Sequence, residues 1–591
     1  MLDTYYVALI AWVINAFFDT FSEDSIWKDP DVNGDEAVTY FVNDITGAGT
    51  VPESGEPTRI VGENVGYCFL TWLLIFLSVA WGVKITGRIA YFTMGLPIVL
   101  LFVFLVKGLT LEGSSAGVKS YIGVWDLKVL RTEGEVWSIA CSQIFFSIGL
   151  TFGILTAFGS HCPRDEPAVL NATVIAMANS LFSFIAGFAV FAALGHLAFL
   201  QGVEVTELEY KTFGLVFGTW PVVFNKLPGG IHWVRLIFFN LFLLGFDSAF
   251  AFLEAFITVM HDTCTYIVYR CILLPWFVFF CLTLIFASCF EICNGLFTYP
   301  TPPQKTAYFQ NFSRFWLAAG ISVVGFLFSL MYCSDAGLTF LDTIDFYINF
   351  VMILVGFFEA FGSAWAYDIV GQVERQTAPV VYSFMTANFG AVIVGCVLWF
   401  TTPPDVAVWA GFVGFFGVYF VGLGVTVYFM NKVVASSDGK WTTKSMLWEV
   451  YFGNILSLRN RMQEVIGPVP FVWCILMKHF IPHVLIILFV NLAQTKTDEG
   501  KPEFGGYEGY ASNPYQVLGI IVVAFTLLLF LVGVFFPDLY APLALPQTDE
   551  AKEELLKYTA ATSADNEDEK AVEELFEKAP TEEKALEEKD V

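Results

Sequence analysis

The chain is constrained above all by a long series of apolar runs. They lie near residues 5–22, 65–83, 89–107, 138–158, 171–200, 232–260, 266–290, 315–333, 338–367, 383–401, 407–430, 470–492 and 515–537. A helix needs about 20 apolar residues to cross a hydrocarbon core roughly 30 Å thick. Hydrophobic residues make up 56% of the 591, which is more than a soluble core can bury. We therefore predict an all-α polytopic protein, integral and multi-pass in the lipid bilayer.

Charge and cysteine content exclude several classes of function. The net charge of −26 lies largely in the stretch after Phe21 and in a tail over residues 547–591, which is rich in Glu, Lys and Ala and is predicted to be cytoplasmic. This distribution gives no reason to expect a nucleic-acid partner. The 11 cysteines form no CxxC pair, so neither a metal site nor a disulfide framework is indicated. No nucleophile and base constellation is recognisable, and we predict no enzyme activity.

Basic residues beside short loops set the predicted orientation, because cytoplasmic loops carry an excess of Lys and Arg. Lys84 and Arg88 place their loop inside the cell. The acidic loop over residues 22–64 is then extracellular.

Residues 266–310 interrupt this regular order as an anomalous insertion. Arg270 precedes the apolar run at 266–290 and Lys305 follows it, so both ends read as cytoplasmic. A re-entrant segment, an extra span compensated elsewhere, and translated non-coding sequence would each explain this, and we favour the last. The helices at 383–430, in contrast, form a hairpin that returns the chain to the side it left.

An acid lies inside the apolar segment LLGFDSAFAFLEAF, residues 243–256. An unpaired carboxylate near the bilayer centre costs at least about 2.5 to 3.5 kcal/mol, so Asp247 requires a partner. Ser248 beside it offers a hydroxyl oxygen, and hard cations take oxygen ligands. The pattern fits a Na⁺ site, or an interior acid bonded to a neighbouring helix.

Two glycines interrupt the apolar segment at 138–158. Gly149 and Gly153, on either side of Thr151, weaken a helix in the middle of the membrane. Such a break frees backbone carbonyls for ligands. The alternative is a glycine-tolerant packing face, which is common in membrane helices.

Longer motifs occur in a fixed order around these features. They are YYVALIAW (5–12), WGVKITGRIAYFTMGLP (81–97), KGLTLEG (107–113), SQIFFSIGLTFG (142–153), ANSLFSFIAGFAVF (178–191), the segment 243–256, SDAGLTFLDTIDFY (334–347) and GFFEAFGSAW (356–365). In this order they resemble the third to tenth membrane helices of the neurotransmitter:sodium symporter family. The resemblance implies an inverted-repeat transporter bundle over residues 1–546, with a discontinuous helix at the binding site. It also implies an N-terminally truncated chain that lacks the family's first two helices, and a hairpin at 383–430 that is additional.

The resemblance implies ion ligands at matching positions. The sodium ligands would be Leu244, Asp247 and Ser248 at one site, and Ser147 and Asn179 at the other. The chloride ligands would be Gln143, Ser147, Asn179 and Ser183. Chloride-independent members carry an acid at the place of Ser183, whereas a neutral serine leaves two neighbouring cations without compensation. We therefore expect dependence on Na⁺ and on Cl⁻.

The same resemblance implies a substrate pocket and a gate. The substrate-binding residues would be Tyr6, Phe146, Phe152, Ser248 and Phe252. Phe152 would also act as a lid, and Asp345 would be the acid of the extracellular gate. Because Phe252 is large at a position that is commonly small, a small amino acid or related solute is expected in preference to a bulky amine.

Three functions remain open. The first is sodium- and chloride-coupled symport of an amino acid, amine or related solute by alternating access in the plasma membrane. The second is a transport-inactive substrate sensor or degenerate relative, which the lacking helices would fit. The third is an ion channel, which would carry current without concentrating a solute. The sequence does not indicate an oligomeric state.

Overall fold

The computed structural model describes residues 2–51, 56–129, 135–163, 166–208, 213–271, 314–437, 441–496, 502–507 and 514–536. Within these ranges the secondary structure is helical, with two isolated β-bridges. The predicted tail at 547–591 and most of the insertion at 266–310 lie outside them. By internal contacts the chain divides into Met1–Leu527 and Leu528–Val591, and the described part of the second unit is the end of the last helix.

The helices are numbered here in chain order. They are α1 (Leu2–Asp19), α2 (Gly34–Tyr40), α3 (Gly62–Val79), α4 (Val83–Leu109), α5 (Ser114–Ile122), α6 (Glu135–Ile148), α7 (Ile154–Ser160), α8 (Ala168–Gln201), α9 (Trp220–Asn225), α10 (Gly230–Cys271), α11 (Arg314–Ser329), α12 (Gly337–Phe361), α13 (Ile369–Gln376), α14 (Ala378–Thr401), α15 (Pro404–Ala435), α16 (Thr443–Trp448), α17 (Asn454–Ile466), α18 (Phe471–Ile475), α19 (Ile481–Gln494) and α20 (Pro514–Phe535).

Ten helical stretches of the described ranges are long and apolar enough to cross a membrane. They are Gly62–Val79, Val83–Leu109, Ala168–Gln201, Gly230–Met260, Arg314–Cys333, Gly337–Gln376, Ala378–Thr401, Val406–Ala435, Phe471–Ala493 and Tyr515–Phe535. The prediction of an integral multi-pass membrane protein is confirmed. One boundary differs, because α10 continues without a break to Cys271 and so includes the first residues of the apolar run predicted at 266–290.

Helix α1 lies inside the bundle, against α10 and α3. Its apolar residues occur on all sides, as expected for a helix that is buried all round, and Val7, Ala11 and Trp12 are fully buried. Close approach to α10 depends on Gly245, since a Cβ atom there would lie 2.9 Å from Cγ1 of Ile10. Small residues at such crossings let helix backbones approach closely in membranes. Helices α1 and α10 are thereby held in direct contact.

The apolar segment predicted at 138–158 is divided into two short helices, α6 and α7. Gly149, Thr151 and Gly153 lie between them with φ angles of 73°, 68° and 78°. This left-handed region suits glycine but costs other residues about 1–2 kcal/mol. The predicted discontinuous helix is confirmed, and it holds even though a threonine occupies the middle position.

The end of the predicted extracellular loop at 22–64 is tied by hydrogen bonds to the turn between α11 and α12. The amide of Val61 donates to the carbonyl of Cys333 at 2.8 Å. The amide and the hydroxyl of Thr58 donate to the carboxylate of Asp335 at 3.0 and 2.5 Å. Because Asp335 is fully buried, this tie fixes the end of the loop against the bundle.

Helices α14 and α15 form the hairpin, which extends over 378–435 instead of the predicted 383–430. The two helices pack closely because Gly422 faces Ala387, and a Cβ atom at Gly422 would lie 2.4 Å from the Cβ of Ala387. The hydroxyl of Ser383 donates to that of Thr426 at 3.0 Å. The hairpin is therefore held together by contacts of its own.

Candidate ion and substrate sites

The candidate cation site on α10 is built from one turn of helix. Leu244, Asp247 and Ser248 are three and four residues apart, which places them on the same face. The carboxylate of Asp247 accepts a hydrogen bond from the hydroxyl of Thr93 on α4 at 2.5 Å. The bond to a neighbouring helix, one of the two expectations for Asp247, is therefore present. Because threonine is neutral, the negative charge remains available to a cation, and these oxygen donors suit Na⁺.

The second candidate cation site lies where α6 ends. Ser147 is the last but one residue of α6, and it exchanges hydrogen bonds with Asn179 of α8 at 3.0 and 3.1 Å. The carbonyl groups at a helix C-terminus lack intrahelical partners and carry partial negative charge. A hydroxyl, an amide oxygen and the C-terminal end of α6 thus meet at the break.

The four predicted chloride ligands form two pairs with helical spacing. Gln143 and Ser147 are four residues apart on α6, and Asn179 and Ser183 are four residues apart on α8, so each pair shares one helix face. The contact between Ser147 and Asn179 brings these two faces together. Gln143 and Ser183 are exposed. Together, Gln143, Ser147, Asn179 and Ser183 form a polar strip. This strip offers neutral hydroxyl and amide donors, which can bind an anion without a fixed positive charge.

The aromatic residues predicted for the substrate pocket form one connected cluster. The Tyr6 ring packs edge-on against Phe252 with a centroid distance of 6.0 Å. Phe152 packs against Phe252 at 5.5 Å and against Phe146 at 5.9 Å. The side chain of Tyr6 also lies close to that of Ser248. The aromatic cluster therefore adjoins the candidate cation site on α10.

The predicted gate acid, Asp345 on α12, has a partner that the sequence did not indicate. The hydroxyl of Tyr5 donates to its carboxylate at 2.7 Å. Tyr5 is buried, and it precedes Tyr6, a predicted substrate-binding residue, by one position. The paired tyrosines therefore reach two different places, one at the predicted gate acid and the other at the predicted substrate pocket.

Three residues near these sites were not predicted. Thr93 and Tyr5 hold the two acids, and Asp3 lies in the first turn of α1. Only Asp3 gave a usable signal, since it is an acid three residues before Tyr6. The predicted apolar segment begins at residue 5 and does not include Asp3, whereas the helix begins at Leu2.

Residues 38–291 match the model of a protein family described as the Sodium:neurotransmitter symporter family. The matched range includes Ser147, Asn179, Asp247 and Phe252, and so covers both candidate cation sites. Tyr6 lies before it.

Comparison with individual proteins gives relatives of one kind. The chain is 38% identical over 206 residues to the "Sodium- and chloride-dependent neutral and basic amino acid transporter B(0+)" of Homo sapiens. This alignment covers 35% of this chain and 32% of that protein. It is 27% identical over 395 residues to the "Sodium- and chloride-dependent GABA transporter 2" of Bos taurus. It is 28% identical over 393 residues to the "Sodium- and chloride-dependent taurine transporter" of the same species. These two alignments cover 62% of this chain, and 58% and 57% of the relatives.

The chain therefore spans between 32% and 58% of the length of these relatives. The matched range contains the broken helix and both candidate cation sites. Over residues 38–291 the chain is similar to the sodium:neurotransmitter symporter family.

Proposed function

We propose that the protein is a secondary active transporter of the plasma membrane that couples Na⁺ and Cl⁻ to the uptake of a small amino acid or related solute. The observation that carries this proposal is the close approach of Tyr6, which packs against Phe252, to Ser248. It joins a residue of the aromatic pocket to a residue of the cation site. The relatives named above, described as sodium- and chloride-dependent transporters of amino acids, GABA and taurine, support the same assignment.

Coupling follows from the shared hydroxyl of Ser248. A cation held by Asp247, Ser248 and the carbonyl of Leu244 orients this hydroxyl, and the hydroxyl in turn orients Tyr6. A solute carboxylate that accepts a hydrogen bond from Tyr6 then binds better when the cation is present. By thermodynamic linkage the cation also binds better when the solute is present.

Phe152 is placed to close the pocket. It follows Thr151 in the non-helical break and its ring contacts both Phe146 and Phe252. Because a break in a helix has fewer backbone hydrogen bonds to lose, Phe152 can move with less cost than a residue inside a helix. Its closure over bound solute would complete the occluded state of an alternating-access cycle.

The polar strip formed by Gln143, Ser147, Asn179 and Ser183 supports a role for chloride. It adjoins the cation site at Ser147 and Asn179, and the ligands proposed there are neutral. An anion in the strip would compensate the nearby cation charge, because opposite charges attract each other.

The test is uptake by the full chain in proteoliposomes with an inward Na⁺ gradient. Accumulation of labelled alanine above equilibrium is expected, with loss when choline replaces Na⁺ or gluconate replaces Cl⁻. Asp247→Asn should lower uptake at least about tenfold, which corresponds to about 1.4 kcal/mol of binding free energy. Asp24→Asn, which removes the same charge from an exposed position, should leave uptake unchanged.

Two results would overturn the proposal. A Na⁺ current without accumulation of any solute would indicate a channel. Solute binding that is measured directly, with no uptake under any gradient, would indicate a sensor.

A further inference from the structure

Two buried cysteines lie together at the end of the bundle to which the predicted extracellular loop is tied. Cys68 lies in the second turn of α3, and Cys333 ends the short helical turn Leu330–Cys333 between α11 and α12. Both side chains are buried, and their thiols lie close to each other. The cysteine spacing does not indicate this pair, because the two residues are far apart in the sequence. The proposed transport cycle uses neither thiol.

The packing of α3 against α11 explains why these two residues meet. The two helices run antiparallel, since the amide of Val61 before α3 donates to the carbonyl of Cys333 after α11 at 2.8 Å. The indole of Trp72 on α3 donates to the hydroxyl of Ser329 at the end of α11 at 3.0 Å. Cys68 lies four residues before Trp72, and Cys333 lies four residues after Ser329. This antiparallel register places Cys68 opposite Cys333.

Hydrogen bonds hold the backbone in place on both sides of Cys333. The amide of Asp335 donates to the carbonyl of Arg59 at 3.0 Å. The hydroxyl of Ser329 donates to the carbonyl of Thr4 on α1 at 2.8 Å. A disulfide requires a specific separation and orientation of its two backbones. Two thiols that face each other from backbones held in this way are suited to form one.

The predicted orientation places the pair where disulfides are stable. Residues 22–64 are predicted to be extracellular, and the end of this loop contacts the turn that contains Cys333. Disulfides form and persist in the secretory pathway and outside the cell, whereas thiols in the cytosol are kept reduced. Cys474, in contrast, is a buried cysteine in a separate core cluster around Trp365.

We propose that Cys68 and Cys333 form a disulfide while the protein is assembled in the secretory pathway. The thiolate of one cysteine attacks a disulfide carried by an oxidoreductase of that compartment, and a mixed disulfide forms. The thiolate of the other cysteine attacks the mixed disulfide, closes the bond between Cys68 and Cys333, and releases the oxidoreductase as a dithiol. The chain loses two electrons and two protons, and the oxidoreductase gains both.

The bond joins α3 covalently to the turn before α12, the helix that carries Asp345. A disulfide between distant positions restricts the unfolded chain and thereby favours the folded one. Burial also protects the bond, because a thiolate must reach one of its sulfur atoms to reduce it. The disulfide should therefore resist reduction in the folded protein and become reducible on unfolding.

The test is alkylation of the full chain in two steps, after expression in animal cells and purification without a reductant. The protein is unfolded in the presence of N-ethylmaleimide, which blocks every free thiol, then reduced and labelled with deuterated N-ethylmaleimide. Mass spectrometry of the peptides should find only the second label on Cys68 and Cys333, and only the first label on Cys474. Digestion without reduction should give a linked peptide that contains both Cys68 and Cys333.

The variants Cys333→Ser and Cys474→Ser test whether the two cysteines are partners. In Cys333→Ser, Cys68 should carry the first label, because its partner is absent. In the matched control Cys474→Ser, Cys68 and Cys333 should still carry the second label.

Two results would overturn the proposal. One is the first label on both Cys68 and Cys333 in the wild type, which would show two free thiols. The other is the second label on Cys68 in Cys333→Ser, together with no linked peptide in the wild type, which would show a different partner. The wild-type measurements need no substitution, so they decide the question even if a variant fails to fold. They also do not depend on whether the protein transports a solute.

Discussion

At the residue scale, the two acids Asp247 and Asp345 of the candidate sites are held by hydroxyl groups, whereas Glu254 is paired with the base Arg314. Thr93 donates to Asp247, and Tyr5 donates to Asp345. A hydroxyl orients a carboxylate without neutralising it, so each acid keeps a charge that can respond to an ion or to a partner that moves. A permanent salt bridge at either place would have used up the charge that the proposed cycle needs.

Asp335 outside the spanning segments provides a test by pH. Burial raises its pKa, but hydrogen bonds from the hydroxyl and amide of Thr58 and from the amide of Ala336 outweigh burial and hold the pKa below its usual value. A lowered pKa in the folded state stabilises the protein above the usual pKa of an aspartate, near 3.9. This contribution is lost as the pH falls through the lowered pKa.

We expect Asp335→Asn to reduce the free energy of unfolding by about 1–3 kcal/mol at pH 7, because the amide group places donors against the donors of Thr58. The difference from wild type should shrink at pH 3. Thermal unfolding of the purified protein at both pH values measures this. A difference that is equal at pH 7 and pH 3 would show that the carboxylate charge is not involved.

Much of the candidate site could be predicted at this scale, but its partners could not. The positions of Tyr6, Phe152 and Phe252 in one cluster follow from the motifs. The pairing of Tyr5 with Asp345 does not, because the two residues are 340 positions apart and no local pattern links them. Asp247 could be identified as an acid that needs a partner, but the choice of Thr93 depends on how α4 packs against α10.

At the element scale, the break between α6 and α7 depends on backbone conformation more than on space. A Cβ atom at Gly153 would meet no atom within 4 Å, yet its φ angle is 78°. Thr151 accepts a similar φ angle in the same break. The energetic cost of the break therefore lies in left-handed backbone at three alternate positions, Gly149, Thr151 and Gly153, and can be measured by substitution.

Gly153→Ala should destabilise the protein by about 1–2 kcal/mol, because alanine disfavours the left-handed region. Gly159→Ala is the matched control, since Gly159 lies within α7 and also has no atom within 4 Å of a built Cβ. Alanine there should stabilise by about 0.5–1 kcal/mol. The free energies of unfolding of both variants are measured by chemical or thermal unfolding. Equal changes in the two variants would refute the conformational explanation.

The hairpin of α14 and α15 supports a second test of this kind. Gly422→Ala should destabilise by about 1–3 kcal/mol through overpacking against Ala387. Gly424→Ala should have little effect, because nothing lies within 4 Å of a Cβ atom there. If the hairpin is an addition to the transporter bundle, sodium-driven uptake should be the same in both variants once surface expression is matched. A selective loss of uptake in Gly422→Ala would show that the hairpin takes part in transport.

Helices were easier to predict than their ends. Apolar runs indicated the spanning helices because length and hydropathy alone decide whether a segment can cross a membrane. The ends depend on local geometry, so α1 begins at Leu2 before its apolar run, and α10 continues past its run to Cys271. At α1 the difference of three residues leaves Asp3 outside the predicted segment, although it lies in the first turn of the helix.

At the scale of the whole molecule, charge balance between sites is the main consequence of the architecture. The break after α6 brings the candidate cation site at Ser147 and Asn179 and the neutral strip of Gln143 and Ser183 to the same pair of helices. In such an arrangement a fixed negative charge in the strip can replace a bound anion. Dependence on chloride is then a property of the strip and can be changed without altering the substrate pocket.

Ser183→Glu should make sodium-driven uptake independent of chloride. Ser180→Glu, which adds the same charge at an exposed neighbouring position on α8, should leave chloride dependence as in wild type. Uptake in chloride and in gluconate media, expressed as a ratio, gives the result. A ratio in Ser183→Glu equal to that of the control would indicate that the strip does not hold the anion.

The tie between the loop and the turn joins residues that are synthesised far apart. Thr58 and Asp335 are separated by 277 positions, and translation adds about 5–20 residues per second. The acceptor therefore leaves the ribosome roughly 14–55 s after the donor. During that interval the end of the loop must adopt another conformation. These hydrogen bonds therefore form late in biogenesis, after helices α3 to α11 have been made.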